Sequence, residues 1–312
     1  MKNYEIVAKV TGDIYISTTI IVDKGKMKFS FIPDDSKKLK EIIACIEIPE
    51  NNNMFEPRFF KDEKGLFNIV INSDEEIYTE LISELQAIES HLSFKSLGSL
   101  ESINWEYPVK KSYGQNESDF KDSSRAFSVM YEENNISIPV KVSEQVIKNI
   151  VKDAREFDEL NFDLAFWRIG INFLKKGLYK LAYIHFYFII ENLYSNCKFT
   201  EKKLLEEFNK STELSQITKQ SYHKIINDPK LKKGLSDIYK KYNIEQNLEN
   251  LLLLLIRIRN DLQHYHKNNP NSRNTPFIQT DYKSIALLVQ TVSFIALFVN
   301  LGKINNIKKT SL

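Results

Sequence analysis

Apolar and polar residues alternate along the first 73 positions in short runs rich in β-branched and aromatic side chains: YEIVAKV (4–10), IYISTTIIV (14–22), MKFSFI (27–32), IIACIEI (42–48) and FNIVI (67–71). A period of two puts successive side chains on opposite faces of a strand. Turn residues at Thr11-Gly12-Asp13, Asp23-Lys24-Gly25 and Asn51-Asn52-Asn53 separate the runs, as in an antiparallel sheet. The period then changes in SDEEIYTELISELQAIESHL (73–92). Ser73 or Asp74 is a capping residue, acids fill the first turn, and Ile77, Leu81, Leu85 and Ile88 form a stripe, which predicts one amphipathic helix lying on the sheet. Three further strand-like runs follow, at 102–109, 125–131 and 136–142, with an exposed loop at 114–124.

From Ser143 the pattern is helical almost to the end. SEQVIKNIVKDAREF (143–157) opens on a serine cap, and NFDLAFWRIGINFLKKG (161–177) stops at Gly177, the usual place for a C-terminal glycine. LYKLAYIHFYFIIENLYSN (178–196) is apolar nearly all round, which predicts a central buried helix. Shorter amphipathic segments fill 200–242, with breaks near Ser211 and at Asp228-Pro229. A long helix is predicted over 244–267, an Asn/Pro-rich loop over 268–276 and a last apolar helix over 280–301. The expected fold is therefore α+β in two domains: a β-rich unit at 1–140 with one amphipathic helix, and an all-α helical bundle at 141–312.

Composition adds one point that the pattern does not show. The net charge of +2 divides at residue 140 into −8 (16 Lys+Arg against 24 Asp+Glu) and +10 (27 against 17). Such an asymmetry is expected of two units with different partners, the basic one suited to a polyanion, or of two halves that attract each other. No run reaches roughly 18–20 uninterrupted apolar residues, and MKNYEIVAKV has no apolar signal core, so a cytoplasmic protein without a membrane association is expected. Cys45 and Cys197 stand alone, outside any metal-ligand spacing, and phosphate loops and nucleophile elbows are missing from the sequence; no metal or other cofactor is expected.

The chemistry is concentrated in RNDLQHYH (259–266), the polar end of the greasy run NLLLLLIRI. At about 100° per residue Arg257 and His264 are nearly eclipsed, with Asn260 and Asp261 between them. Arg259 and His264 lie about 140° apart and flank a face, so one phosphate held by both needs a groove shared with another helix. Imidazole moves protons near neutral pH, and a guanidinium steadies the growing charge of a phosphodiester transition state. Together they suit metal-free RNA cleavage, in which the ribose 2′-OH attacks the adjacent phosphorus.

RNDLQH resembles the R-x4-6-H motif of HEPN domains, which are α-bundles carrying it in a late helix followed by one more, and AFWRIGINFLKKGLYKLAYIHFYFIIENLYS (165–195) resembles the early helix pair of the ApeA-like branch. The resemblance spans about residues 143–302. It implies a homodimer whose two motifs face each other across a two-fold axis in one RNA-cleaving groove, with Arg259 and His264 catalytic and Asn260 orienting them. It further implies an antiviral or toxin-like effector; the β-rich unit, which resembles no known family, is expected to sense for, restrain or deliver it, its trigger and protein partner unknown. Some HEPN toxins carry R-x4-H-x-Y with a modified tyrosine; here Tyr265 comes one place early, so that modification is not expected.

Around this centre, Arg257 and Asp261 are assigned support. Glu191, an acid on a greasy helix, either sits exposed at the helix edge or pairs with Arg257 or Arg259. Tyr265 and His266 stack on bases or pack the helix end, and Lys232, Lys233, Lys240 and Lys241 form a solvated face or hold the RNA backbone. His185 is expected in the core, and His91 at the surface or in a cap. Two other readings remain open: a non-catalytic HEPN-type module that binds RNA or a nucleotide or dimerises as a scaffold, and an acidic half that inhibits the basic one.

Overall fold

The structure is a computed structural model that describes residues 2–48, 58–61, 67–70, 75–103, 109–113, 121–122, 139–153, 159–263 and 280–310. The chain divides into two compact units, Met1–Asp158 and Glu159–Leu312. The first is built on an antiparallel sheet and the second is helical, an α+β organisation.

The sheet runs in the order β10 (Lys121–Asp122), β9 (Val109–Tyr113), β1 (Lys2–Gly12), β5 (Leu39–Ile48), β4 (Met27–Pro33), β3 (Ile20–Lys24), with β8 (Leu100–Ile103) also paired to β1. Period-two alternation gives it one buried face, carrying Tyr4, Ile6 and Ala8 of β1, Phe29 and Phe31 of β4, and Ile42, Ala44 and Ile46 of β5. The run at 14–22 is not one strand. Ile14–Tyr15 (β2) pairs in parallel with Val140–Lys141 (β11), whereas β3 pairs with β4, so the chain changes partners between them. Lys121–Asp122 pair with β9 inside what the sequence predicts to be a loop. The hairpin β6 (Arg58–Lys61) and β7 (Phe67–Val70) is separate, and the predicted strand at 125–131 and the caps at Ser73 and Asp74 lie outside the described residues. Gly12 is where β1 bends onto β8: its φ is +131°, and a Cβ there would meet the Ser99 carbonyl oxygen at 2.3 Å.

Helix α1 (Glu75–Lys95) buries the expected stripe of Ile77, Leu81, Leu85 and Ile88, but much of its polar side is buried too. Glu84 accepts from Lys24 Nζ at 2.8 Å, Glu89 accepts from the Ile103 amide at 2.6 Å, and His91, expected at the surface or in a cap, is buried. A second helix, α2 (Glu144–Asp153), packs Ile147, Ile150 and Val151 into the same core against α1 and β3. The division of the chain thus falls after Asp158 and not at 140, because α2 closes the sheet's core. The charge division is unaffected, since residues 141–158 carry four basic and four acidic side chains.

The second unit contains α3 (Asn161–Lys175), α4 (Tyr179–Tyr194), α5 (Glu201–Lys210), α6 (Thr212–Ile226), α7 (Pro229–Lys241), α8 (Leu251–Gln263) and α9 (Lys283–Thr310), the last preceded by a 3₁₀ turn, Thr280–Tyr282. The breaks between α5, α6 and α7 have local causes. Ser211 Oγ accepts from the Leu214 amide, and Asp228 accepts from the amides of Lys230 and Leu231 with Pro229 in the first turn. Helix α8 starts later than the pattern over 244–267 predicts: Asn243 has φ +52° and Asn247 Oδ1 caps the Asn250 amide, so residues 243–250 form turns.

Helix α9 is the hub, touching α3, α4, α6 and α7 and burying Ile285, Leu288, Val289, Val292 and Leu297 completely. Its segment Lys283–Ile304 is, among the described residues, the one helix long and apolar enough to cross a membrane, and half of it is buried within the protein. Gln290, Thr291 and Ser293 interrupt its apolar run. Helix α4 is central as its composition predicts, packing against α3, α8 and α9, but one side is open: Leu181 is exposed, and His185, expected in the core, lies half-buried among the rings of Phe166, Phe173 and Phe188.

Candidate functional site

Helices α4 and α8 pack so that Tyr183, Tyr187 and Glu191, four residues apart on α4, face Leu255 and Arg259, four apart on α8. Tyr183 Oη donates to the Leu255 carbonyl at 2.6 Å. Two turns on, Arg259 Nη2 donates to Glu191 Oε1 at 2.5 Å, each side chain only 11% exposed. Arg259 Nη1 donates to Asn260 Oδ1 at 3.0 Å. Both ends of the guanidinium fork are thereby committed within the chain. Among the described residues Arg259 Nε and Tyr187 Oη are buried without a hydrogen-bond partner. Burial pushes the Glu191 carboxyl above its usual range, against the opposing pull of Arg259, and burial likewise pushes the Tyr187 phenol up.

The structure separates the two arginines offered as partners of Glu191. Arg257 turns away, its Nε 3.3 Å from Glu201 Oε1 of α5, both side chains 41% exposed. Asp261 accepts from Tyr242 Oη at 2.9 Å, and that hydroxyl lies 3.2 Å from Tyr282 Oη. The end of α7 is thus tied to the polar end of α8. Lys241 sits over the Tyr282 ring, 4.9 Å from its centroid, and 3.9 Å from Asp281; Lys180 lies 5.0 Å from the same centroid, its amine pushed down by burial and by Lys241. Lys232, Lys233 and Lys240 are exposed on α7. His264, Tyr265 and His266 lie outside the described residues.

Beside Glu191, Asn192 Nδ2 donates to both carboxylate oxygens of Asp163 on α3, at 3.0 and 3.1 Å. Asp163 is fully buried, and burial raises its carboxyl to about 6 despite that donor. Asp163, Asn192, Tyr187 and Tyr242 are not among the residues that the sequence pattern singles out. The four-residue spacing of Tyr183, Tyr187 and Glu191 was the available signal, hidden because the helix reads as uniformly greasy. Among the described residues no three His, Cys, Asp or Glu side chains gather as a metal ion would need.

No protein-family model, no curated protein and no solved structure matches the chain.

Proposed function

We propose that the chain is a metal-independent endoribonuclease of the HEPN type, acting in the cytoplasm as a homodimer in antiviral defence or toxin-like growth arrest. The observation that carries this reading is Arg259, a desolvated guanidinium braced by Glu191 and Asn260 at the polar end of a buried helix. A guanidinium fixed in this way does not have to be ordered when charge develops on a phosphoryl oxygen. In the reaction, the 2′-oxygen forms a bond to phosphorus while the bond to the 5′-oxygen breaks. His264 passes the proton between them, leaving a 2′,3′-cyclic phosphate and a 5′-hydroxyl. The first unit senses a trigger or restrains the second.

The test is cleavage of a mixed RNA substrate by the wild-type chain and by His264→Ala and Arg259→Ala, with end groups analysed. Cyclic phosphate products in the wild type, lost in both variants and indifferent to chelators, are expected. A fully active His264→Ala chain sinks the assignment.

One observation favours a second reading. Each Nη of Arg259 already donates a hydrogen bond within the chain, as suits a structural arginine in a non-catalytic HEPN-type module that holds RNA or a nucleotide or dimerises as a scaffold. RNA affinity without cleavage on long incubation selects it.

A further inference from the structure

Helices α6 and α7 are consecutive, packed together and turn a lysine-rich surface outward. On α7 the buried positions are Leu235, Ile238 and Tyr239. Lys233 and Lys240 lie seven residues apart on the opposite side, nearly eclipsed and about 10 Å apart along the axis. On α6, Lys219 and His223 stand four apart, opposite Ile217, Thr218 and Ser221, with Lys224 also exposed. Lys230 and Lys232 extend the surface at the start of α7.

Elsewhere acids meet the lysines: Lys24, Lys26, Lys38 and Lys148 each have a carboxylate oxygen within 2.8 Å. On this face, among the described residues, none of Lys219, Lys224, Lys230, Lys232, Lys233 and Lys240 has a carboxylate within 4.0 Å. Of the nearby acids, Asp228 caps α7 and Glu213 holds Lys303 and Tyr194; Asp237 is the one exposed acid on α7, and Glu245 and Glu249 are exposed just beyond its end. Like charges held close repel, so a face kept this basic fits an external polyanion better than it fits stability. Its direction matters as well. Lys240 lies at the end of α7 that Tyr242 ties to Asp261, two residues beyond Arg259.

Resting on the ribonuclease reading, we propose that α6 and α7 form a phosphate track along which single-stranded RNA runs to the polar end of α8, held by Lys219, Lys230, Lys233 and Lys240 through its backbone and without base specificity. The probe is a 2′-O-methyl RNA oligonucleotide, which lacks the attacking hydroxyl and so reports binding apart from cleavage. Its affinity is measured by fluorescence anisotropy across a salt series, for the full chain and for Lys219→Gln/Lys230→Gln/Lys233→Gln/Lys240→Gln. All four side chains are exposed, and equal thermal melting of the two proteins verifies that the fold is kept.

Neutralising a phosphate contact lowers the slope of log K against log salt by about 0.7 for a single strand. The variant is expected to lose about 3 from the slope and at least tenfold in affinity at low salt, whatever the base sequence. Absent binding by the wild type overturns the track. So does an unchanged slope in the variant, or lysine-dependent binding to phosphatidylserine vesicles in place of RNA. If the track binds but unmodified RNA is not cleaved, the ribonuclease reading fails and the track stands; cleavage with lysine-independent binding gives the reverse.

Discussion

Glu191 and Arg259 meet at 2.5 Å across the α4–α8 contact with nine-tenths of each side chain withdrawn from solvent. Two charges so desolvated are held by each other and by few other groups. The cost of losing one partner therefore exceeds the value of the pair itself.

Arg259→Met strands a buried carboxylate, and Glu191→Met strands a buried guanidinium. Each is expected to cost about 3–5 kcal/mol in urea unfolding, while the double Met variant recovers much of that loss because nothing charged remains to be solvated. Additive losses in the double variant would show that the two side chains are not coupled. Under the ribonuclease reading the double variant folds and has no cleavage activity, which separates the stabilising role of the pair from the chemical role of Arg259.

Asp163 gives the second unit a pH dependence of definite sign. Its carboxyl rises from 3.8 to about 6 on folding, so the native state binds the proton more tightly than the unfolded chain. Its stabilising contribution is fully present below pH 3.8, is lost as pH rises through 6, and is flat above that. At about 1.4 kcal/mol per pH unit the loss approaches 3 kcal/mol. Asp163→Asn is expected to remove this slope and to stabilise the protein at pH 7–8. Chemical denaturation at pH 5 and pH 7.5 checks it, and a slope unchanged in the variant refutes the assignment to this carboxyl.

The parts legible in the sequence are those where one local signal dominates. Period-two runs gave β1, β4 and β5. Ser211, Asp228-Pro229 and Gly177 ended helices where their side chains or backbone permit. Where long-range packing decides, the sequence was silent. The run at 14–22 splits because β11 and β4 claim its two ends, and α2 belongs with the sheet because its apolar face has a core to fill there. At the candidate site the acid on α4 was legible as a charge out of place, and its partner came down to two arginines. Choosing Arg259 over Arg257 needed the position of α5, since Glu201 draws Arg257 away. Asp163 carries no such signal, because an acid in the first turn of a helix reads as an ordinary capping charge.

Gly170 lets α3 pack closely on α4. A Cβ there would meet the Phe186 ring at 2.6 Å, and that ring is fully buried against Trp167. Gly170→Ala is expected to cost about 1–3 kcal/mol by overpacking, despite the better helix propensity of alanine. Phe186→Leu in that background should return part of the loss, although alone it destabilises. A stabilised Gly170→Ala chain would show that the two helices can separate without penalty.

Tyr242 joins α7 to the polar end of α8 through one hydroxyl, which donates to Asp261 at 2.9 Å and lies 3.2 Å from Tyr282 Oη. A hydrogen bond to a charged acceptor contributes about 1.5–3 kcal/mol, and one between neutral groups about half as much. Tyr242→Phe is therefore expected to destabilise more than Tyr282→Phe, since the first removes the donor to the carboxylate and the second removes only a neighbour of that donor. Asp261→Asn keeps an acceptor for Tyr242 and should cost less than Tyr242→Phe. Urea unfolding of the three variants gives the order, and a Tyr282→Phe loss as large as that of Tyr242→Phe would mean that the carboxylate is held by something other than this hydroxyl. Under the ribonuclease reading, Tyr242→Phe is expected to slow cleavage while leaving the salt dependence of RNA binding unchanged, because it loosens the end of α8 and removes no cation.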